Sequence, residues 1–419
     1  MDLRSDQLYW PGTCNRPAFE YAGHRPAEEL RCEALVVGSG ITGALLADHF
    51  TAAGIQTIVA DRRSLACGST PATTALLQYE IDVPLLKLVK LIGRTNAQLA
   101  YLATNEALSD MVALIAGLRN DCDLTRRQSL YLAVKPEDAE ELEAEAAARR
   151  EIGLPAAFVS QDVLQRRFGI ERPGAILSEV GLEVNPLKLT FSLLTAAAAL
   201  GARIFEQMEV DLSCVHGDSS PMRLTTSSGV SITADWVVIA TGYETPEQFG
   251  VIRSLTKLKS TYAAATAPLN SEPWPECPLV WEAADPYFYA RTTRDWRIIL
   301  GGEDESFTDA DLRDSLIPAK ANVLRTKLRA LFPRTDPPPS IEFQWAGTFA
   351  ETADGLPYIG RHPLWSNVLF ALGYGGNGIT FSLIAAQILR DIILRKNNPS
   401  AALFSFAREP STASTRRGG

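Results

Sequence analysis

The feature that most constrains this 419-residue chain is a glycine pattern near its start. In ALVVGSGITGALLADHF, residues 34–50, Gly38, Gly40 and Gly43 stand between a β-branched run and apolar residues at helical spacing. In a strand–turn–helix of this kind the first glycine makes the tight turn. The second lets a pyrophosphate approach the backbone, and the third lets the helix pack closely on the strand. The helix start at Ile41 and Thr42 offers unpaired N–H groups and a positive dipole end to phosphate. Residues 55–60 read as a second parallel strand. Asp61 ends it, where a carboxylate can bond ribose hydroxyls, with Arg62 beside it. Strand, helix, strand and terminal acid in that order predict a dinucleotide-binding unit.

Composition narrows the class. At roughly 150 residues per domain the length allows two or three domains. Gly at 29 and Pro at 25 are ordinary, which removes collagen-like and low-complexity readings. A net charge of -9 argues against a surface built for nucleic acid. Six widely spaced cysteines without CxxC, and four scattered histidines, predict neither a disulfide scaffold nor a metal site. FSLIAAQILRDIIL is interrupted by Gln387, Arg390 and Asp391, so it reads as a buried helix and not a membrane span. No signal-peptide pattern opens the chain. A soluble, cytoplasmic protein is expected.

NAD(P) and FAD share the opening motif, and later segments separate them. Residues 66–82 form a second small-residue loop, in which Gly68, Ser69, Thr70 and Thr74 are candidate cofactor contacts. VSITADWVVIATGYET, residues 230–245, ends a strand in Ala240, Thr241 and Gly242, the position where ligands bind in parallel sheets. WAGTFAETADGLPYIGR, from Trp345, carries Gly347. It leads to a strand and to the loop GYGGNG, with Gly375, Gly376, Asn377 and Gly378, before a helix that begins near Ile379 and Thr380. The positive end of that helix can stabilise negative charge on a reduced flavin.

These four segments resemble the D-amino-acid-oxidase-type FAD-dependent oxidoreductases, the group of glycine, sarcosine and amine oxidoreductases. The resemblance runs from about residue 30 to 405. It implies non-covalent FAD on Gly38, Gly40, Gly43, Asp61, Ser69, Thr70, Thr241, Gly242, Gly376 and Ile379–Thr380, with Val210 at the adenine. The expected architecture is a Rossmann-like α/β domain interleaved with an α+β substrate domain on a mostly antiparallel sheet. Segments 31–110, 170–250 and 345–400 are assigned to the first, and 111–169 and 251–344 to the second. Residues 1–30, with Tyr9, Trp10, Phe19 and Tyr21, read as an N-terminal arm, and 408–419 as a disordered tail. PEDAEELEAEAAARREIG, residues 136–153, reads as a helix with a solvated face.

Tyr289, Arg291, Trp345, Tyr374 and Tyr262 are the candidates for lining the substrate cavity. Period-two alternation puts Tyr289 and Arg291 on one strand face. Members similar to glycine oxidase have an arginine after W-x-G that clamps a carboxylate, and Phe349 stands near that place here. Sarcosine-oxidase-like members attach flavin to a cysteine in this neighbourhood, and no cysteine follows Cys277. The expected substrate is therefore an amine or N-substituted amino acid, with oxygen or an electron-acceptor partner taking the electrons. The alternatives are a hydroxy-acid or polyol-phosphate dehydrogenase, and a non-catalytic FAD-binding subunit.

Overall fold

A computed structural model describes residues 2–5, 7–19, 29–215, 220–333 and 339–408. Tyr21, and all of the expected tail after Arg408, lie outside the described residues. In chain order the strands begin with β1 (Leu30–Val37), β2 (Thr57–Ala60), β3 (Leu76–Gln78), β4 (Thr125–Leu132), β5 (Ala156–Ser160) and β6 (Gly174–Glu183). Then come β7 (Arg203–Phe205), β8 (Val210–Asp211), β9 (Met222–Thr226), β10 (Ser231–Ile239), β11 (Thr256–Thr266) and β12 (Leu279–Glu282). The last are β13 (Phe288–Thr292), β14 (Ile298–Glu305), β15 (Ile341–Thr352), β16 (Tyr358–His362) and β17 (Trp365–Leu372). The helices are α1 (Ile41–Ala52), α2 (Leu85–Ile92), α3 (Arg94–Gly117), α4 (Pro136–Glu151), α5 (Gln161–Phe168), α6 (Pro186–Ala199), α7 (Gly250–Arg253), α8 (Ala310–Ser315), α9 (Ile317–Leu331) and α10 (Gly378–Ile393).

The strands form two sheets. One runs β16-β17-β10-β1-β2-β7, with β9 on β10 and β8 on β9. Its centre is parallel: β1 lies between β10 and β2, and β17 pairs parallel to β10. This is the Rossmann-like sheet. Its central strands are near-continuous apolar runs because helices cover them, as buried parallel strands require. Helix α1 packs against α6 and α10 and is buried almost all round. The third glycine of the motif permits this. A Cβ at Gly43 would stand 1.9 Å from the Gly38 carbonyl oxygen, so any larger residue would push α1 off the turn.

The second sheet runs β15-β11-β14-β13-β12-β4-β6-β3, with β5 on β6. It is antiparallel except where β12 meets β4. Strand β6 lies here, although the sequence reading grouped residues 170–250 with the cofactor-binding segments. Its pairing with β4 and β3 decides the matter. Helix α9 packs across β11, β14 and β15 on the far face. Asn185 caps α6 as its sequence predicts, accepting from Leu187 N and Lys188 N with Pro186 at the first turn.

Of the two readings open to the aromatic N-terminal arm, packed on the surface or loose, residues 3–5 take the first: Thr348 N donates to Leu3 O and Ser5 N to Ala346 O, extending the edge at β15. One expectation changes. Helix α4 is not solvated all along its charged face. Arg149 is fully buried, its Nε 2.9 Å from Glu145, and Glu145 accepts from Leu85 N and Leu86 N at the start of α2. Both charges can be buried because each has a partner.

Candidate active site

The turn after β1, the loop after β2, the end of β10 and the loop before α10 converge on one cavity of about 890 Å³. Strands of the second sheet close its other side. Gly38, Gly40, Ile41, Thr42, Asp61, Arg62, Gly68, Ser69, Thr70 and Thr74 line it from the first half of the chain. Val210, Ala240, Thr241, Gly242, Gly347, Gly375, Gly376, Gly378 and Ile379 line it from the rest, with Tyr289 and Tyr374.

Close backbone approach explains the glycines. Gly38 has φ +112°, and a Cβ there would stand 2.4 Å from the Ala240 carbonyl oxygen, so β1 and β10 meet at this turn without a side chain between them. Asp61 Oδ2 accepts from Ser39 N at 2.8 Å and Ser39 Oγ at 2.6 Å, and Oδ1 accepts from Arg63 N. These bonds fix the carboxylate at the strand end. Thr70 Oγ1 accepts from Ile41 N at 2.9 Å, tying the second loop to the start of α1. Glu244 binds Arg62 at 2.7 Å and Arg63 at 2.6 Å. Burial opposes its charge, but Arg63 and Arg62 outweigh that and hold the carboxyl below its usual range.

The second sheet contributes Thr261, Tyr289, Gly347, Thr348 and Phe349, none of them charged. Tyr287 and Tyr289 stack with ring centroids 5.8 Å apart, and Thr74 Oγ1 lies 3.3 Å from the Tyr289 hydroxyl. Burial raises the phenols of Tyr243, Tyr287, Tyr289 and Tyr374, so they are neutral donors and walls at neutral pH, not bases. Two carboxyls stand nearby. Asp82 accepts from Gly376 N at 2.7 Å. Asp304 is pushed up to about 6 by burial, against the neighbouring Thr261 and Tyr287 hydroxyls. Neither hydroxyl makes a well-formed hydrogen bond to it.

Six residues singled out from the sequence are elsewhere. Gly43 packs α1 on the turn, Asn377 bonds the Glu80 carbonyl and Thr380 the Gln78 carbonyl, so these three support the cavity wall from behind. Trp345 is fully buried, its Nε1 donating to Ala72 O at 2.8 Å. Tyr262 faces away toward α9, with Lys320 Nζ over its ring at 5.4 Å. Arg291 lies behind Trp10, whose ring is 5.1 Å from the guanidinium carbon. Conversely, Tyr243, Glu244 and Thr261 line the cavity and were not singled out, while Tyr287, on the same strand face as Tyr289, lines it as alternation implies. Tyr243 and Glu244 directly follow Ala240–Gly242, and that adjacency was the available signal.

The cavity suits a dinucleotide on its own evidence. The Ser69 hydroxyl is buried without a hydrogen-bond partner among the described residues, and the Gly38 turn leaves only backbone at the closest approach. Residues 33–392 match the family model described as FAD dependent oxidoreductase. The chain belongs to that family. It is thus a flavin-dependent oxidoreductase by descent, with the two-sheet fold described above.

Three relatives illustrate its place in the family. The Rieske-type 2Fe-2S iron-sulfur protein YhfW of Bacillus subtilis (strain 168) is 24% identical over 406 residues, covering 96% of this chain and 75% of that one. Gamma-glutamylputrescine oxidoreductase of Escherichia coli (strain K12) is 24% identical over 380 residues, covering 87% and 84%. The crystal structure of glycine oxidase from Geobacillus kaustophilus superposes with a TM-score of 0.72 at 21% identity, covering 91% of this chain and 99% of that one. At that identity the likeness supports the fold alone. No helix among the described residues is long and apolar enough to cross a membrane.

Proposed function

We propose that the chain binds FAD non-covalently and oxidises the C–N bond of a small amine without a carboxylate beside the reacting carbon. In this reading Gly38, Gly40 and the start of α1 receive the pyrophosphate, Asp61 the ribose, and Val210 the adenine. The loop Gly375–Ile379 and Gly347 flank the redox-active end. FAD, when bound, supplies the hydride acceptor. The chain's own part is to orient the substrate C–H, exclude water and leave the nitrogen unprotonated.

The observation that carries the substrate class is the uncharged wall from the second sheet: Thr261, Tyr289, Gly347, Thr348 and Phe349. A carboxylate held against it would lack a cationic partner, and a desolvated carboxylate without one is costly. Aromatic faces suit an alkylamine, as a cation on arrival and as the neutral base when it reacts. The same wall disfavours a hydroxy acid. The glutamylated diamine in the name of the Escherichia coli relative agrees with an amine centre.

The test is anaerobic flavin reduction with defined primary and secondary amines, amino acids and hydroxy acids. Reduction by amines, with simple amino acids at least tenfold slower, supports the reading. Preferential reduction by hydroxy acids, or no reduction by any of them, overturns it. The final acceptor is oxygen or a partner protein. Reoxidation rates in air against an added quinone separate the two.

A further inference from the structure

A second cavity, of about 440 Å³, opens on the other side of Trp10. Its walls include Tyr9, Trp10 and Phe343, and Arg291 at its inner end. Arg291 is 2% exposed. Its Nη2 donates to Val184 O at 3.1 Å, the only hydrogen bond its guanidinium makes among the described residues, and its Nε is buried without a partner. Glu183 is the carboxylate whose charge acts most on Arg291, but both its oxygens are committed to other donors. Oε2 takes Arg127 Nε at 3.1 Å, and Oε1 takes Thr292 N and Oγ1.

The other cations of this cavity are neutralised. Lys188 sits on Asp123 at 2.8 Å, Arg294 on Asp121 at 2.8 Å, and Arg297 on Asp295 at 2.9 Å. Among the described residues one buried guanidinium is therefore left without a directly paired carboxylate in a cavity with aromatic walls. A buried charge is retained when something pairs with it. Burial lowers the Arg291 pKa, and the more distant charges of Glu183 and Asp123 only partly oppose it. Arginine nevertheless stays charged in proteins, so the site remains electrically incomplete.

We propose that the Arg291 cavity is a binding site for a small monocarboxylate, separate from the site of amine oxidation. A guanidinium presents paired N–H donors that match the two oxygens of a carboxylate. A single uncompensated cation balances one negative charge, whereas a dianion would leave an excess. Tyr9, Trp10 and Phe343 cover an apolar body of a few carbons. Trp10 Nε1 donates to Thr73 O at 2.7 Å, and Thr73 lines the main cavity, so one indole separates the carboxylate from the wall of the flavin site.

The test titrates the flavin-loaded protein with sodium acetate, sodium butyrate and sodium phosphate at matched ionic strength, by calorimetry and tryptophan fluorescence. The expected result is one saturable site for acetate and butyrate, butyrate tighter, with an unchanged flavin spectrum. Arg291→Lys keeps the charge and loses the fork, and its affinity should fall at least tenfold. Trp10→Phe should abolish the fluorescence change and keep the calorimetric binding. Absence of saturable binding overturns the proposal, as does unchanged affinity in Arg291→Lys. So does a fluorescence change that survives Trp10→Phe, or tighter binding of phosphate than of butyrate. A carboxylate that perturbs the flavin spectrum would be in the main cavity, which also overturns it. Because no amine is used, the outcome is independent of whether amines reduce the flavin.

Discussion

Gly301 offers a sharp test of how the cavity wall is built. It lies on β14 opposite Tyr289 of β13. A Cβ at Gly301 would fall 2.1 Å from both the ring Cζ and the hydroxyl oxygen of Tyr289. That is roughly 1.4 Å short of an ordinary carbon contact, so in Gly301→Ala the tyrosine must swing away. The displacement breaks its stacking on Tyr287 and its approach to Thr74. Overpacking of this kind costs about 1–3 kcal/mol, partly offset by the loss of glycine's freedom in the unfolded chain. A double-mutant cycle removes the second effect, because Gly301→Ala carries it in either background. Measured by equilibrium urea unfolding, Gly301→Ala should cost at least about 1 kcal/mol more in the wild-type background than in Tyr289→Ala. The rate of anaerobic flavin reduction by an active amine should fall about tenfold, corresponding to about 1.4 kcal/mol, with flavin affinity within about twofold. Equal costs in the two backgrounds would refute the reasoning, because Gly301 would then matter to something other than Tyr289.

Three further perturbations have definite signs. In Gly43→Ala the new methyl meets the Gly38 carbonyl at 1.9 Å, so the purified protein should carry little or no flavin absorbance; full occupancy would show that α1 can retreat freely. Phe349→Arg places a cation on the uncharged wall and should raise the ratio of amino-acid to amine kcat/KM at least tenfold, with the reverse result counting against the proposed substrate position. Asp48 is buried in α1 and burial pushes its carboxyl up to about 6, while His49 is held near 4 by burial, so the two do not form an ion pair at neutral pH. Its folded value lies above the ordinary 3.8, so the charged form is penalised in the native state and stability falls as pH rises from about 4 to 6. Asp48→Asn should therefore be neutral below pH 4 and stabilising by about 3 kcal/mol above pH 6, and a pH-independent difference in urea unfolding would contradict this.

The cofactor side of the cavity was legible because its determinants are local. Gly38–Gly43, Asp61, Ser69–Thr70 and Gly375–Ile379 lie at ends of strands or starts of helices, where spacing alone specifies the geometry. The substrate side was harder because strand parity depends on register. Thr261 and Tyr262 alternate on β11, and which of them faces inward is set by how β11 pairs with the distant strand β15, which no residue pattern announces. Alternation put Arg291 and Tyr289 on one face, but Trp10 stands in front of the arginine. A contact between residues so far apart in sequence leaves no periodic trace. The burial of Arg149 was hidden likewise, because Glu80 and Tyr101 come to it from other elements, beyond its local partner Glu145 on α4.

The strand order of the first sheet has a consequence for biosynthesis. Its middle is β17-β10-β1-β2, so β1 has no partner on one side until residue 239 exists, and the Val237–Ile239 end of β10 lacks its outer partner until β17 is made, ending at residue 372. At about 5–20 residues per second, the ribosome takes on the order of 20 to 70 s to supply the last of these strands. Throughout that time the apolar edge of an unfinished parallel sheet is available to other chains. The Ser5–Ala346 pairing spans 341 positions and cannot close before residue 346 exists. Yield in cells should therefore depend on chaperone supply and translation rate more than on flavin supply. Fragments ending before Trp365 should be insoluble, not merely inactive.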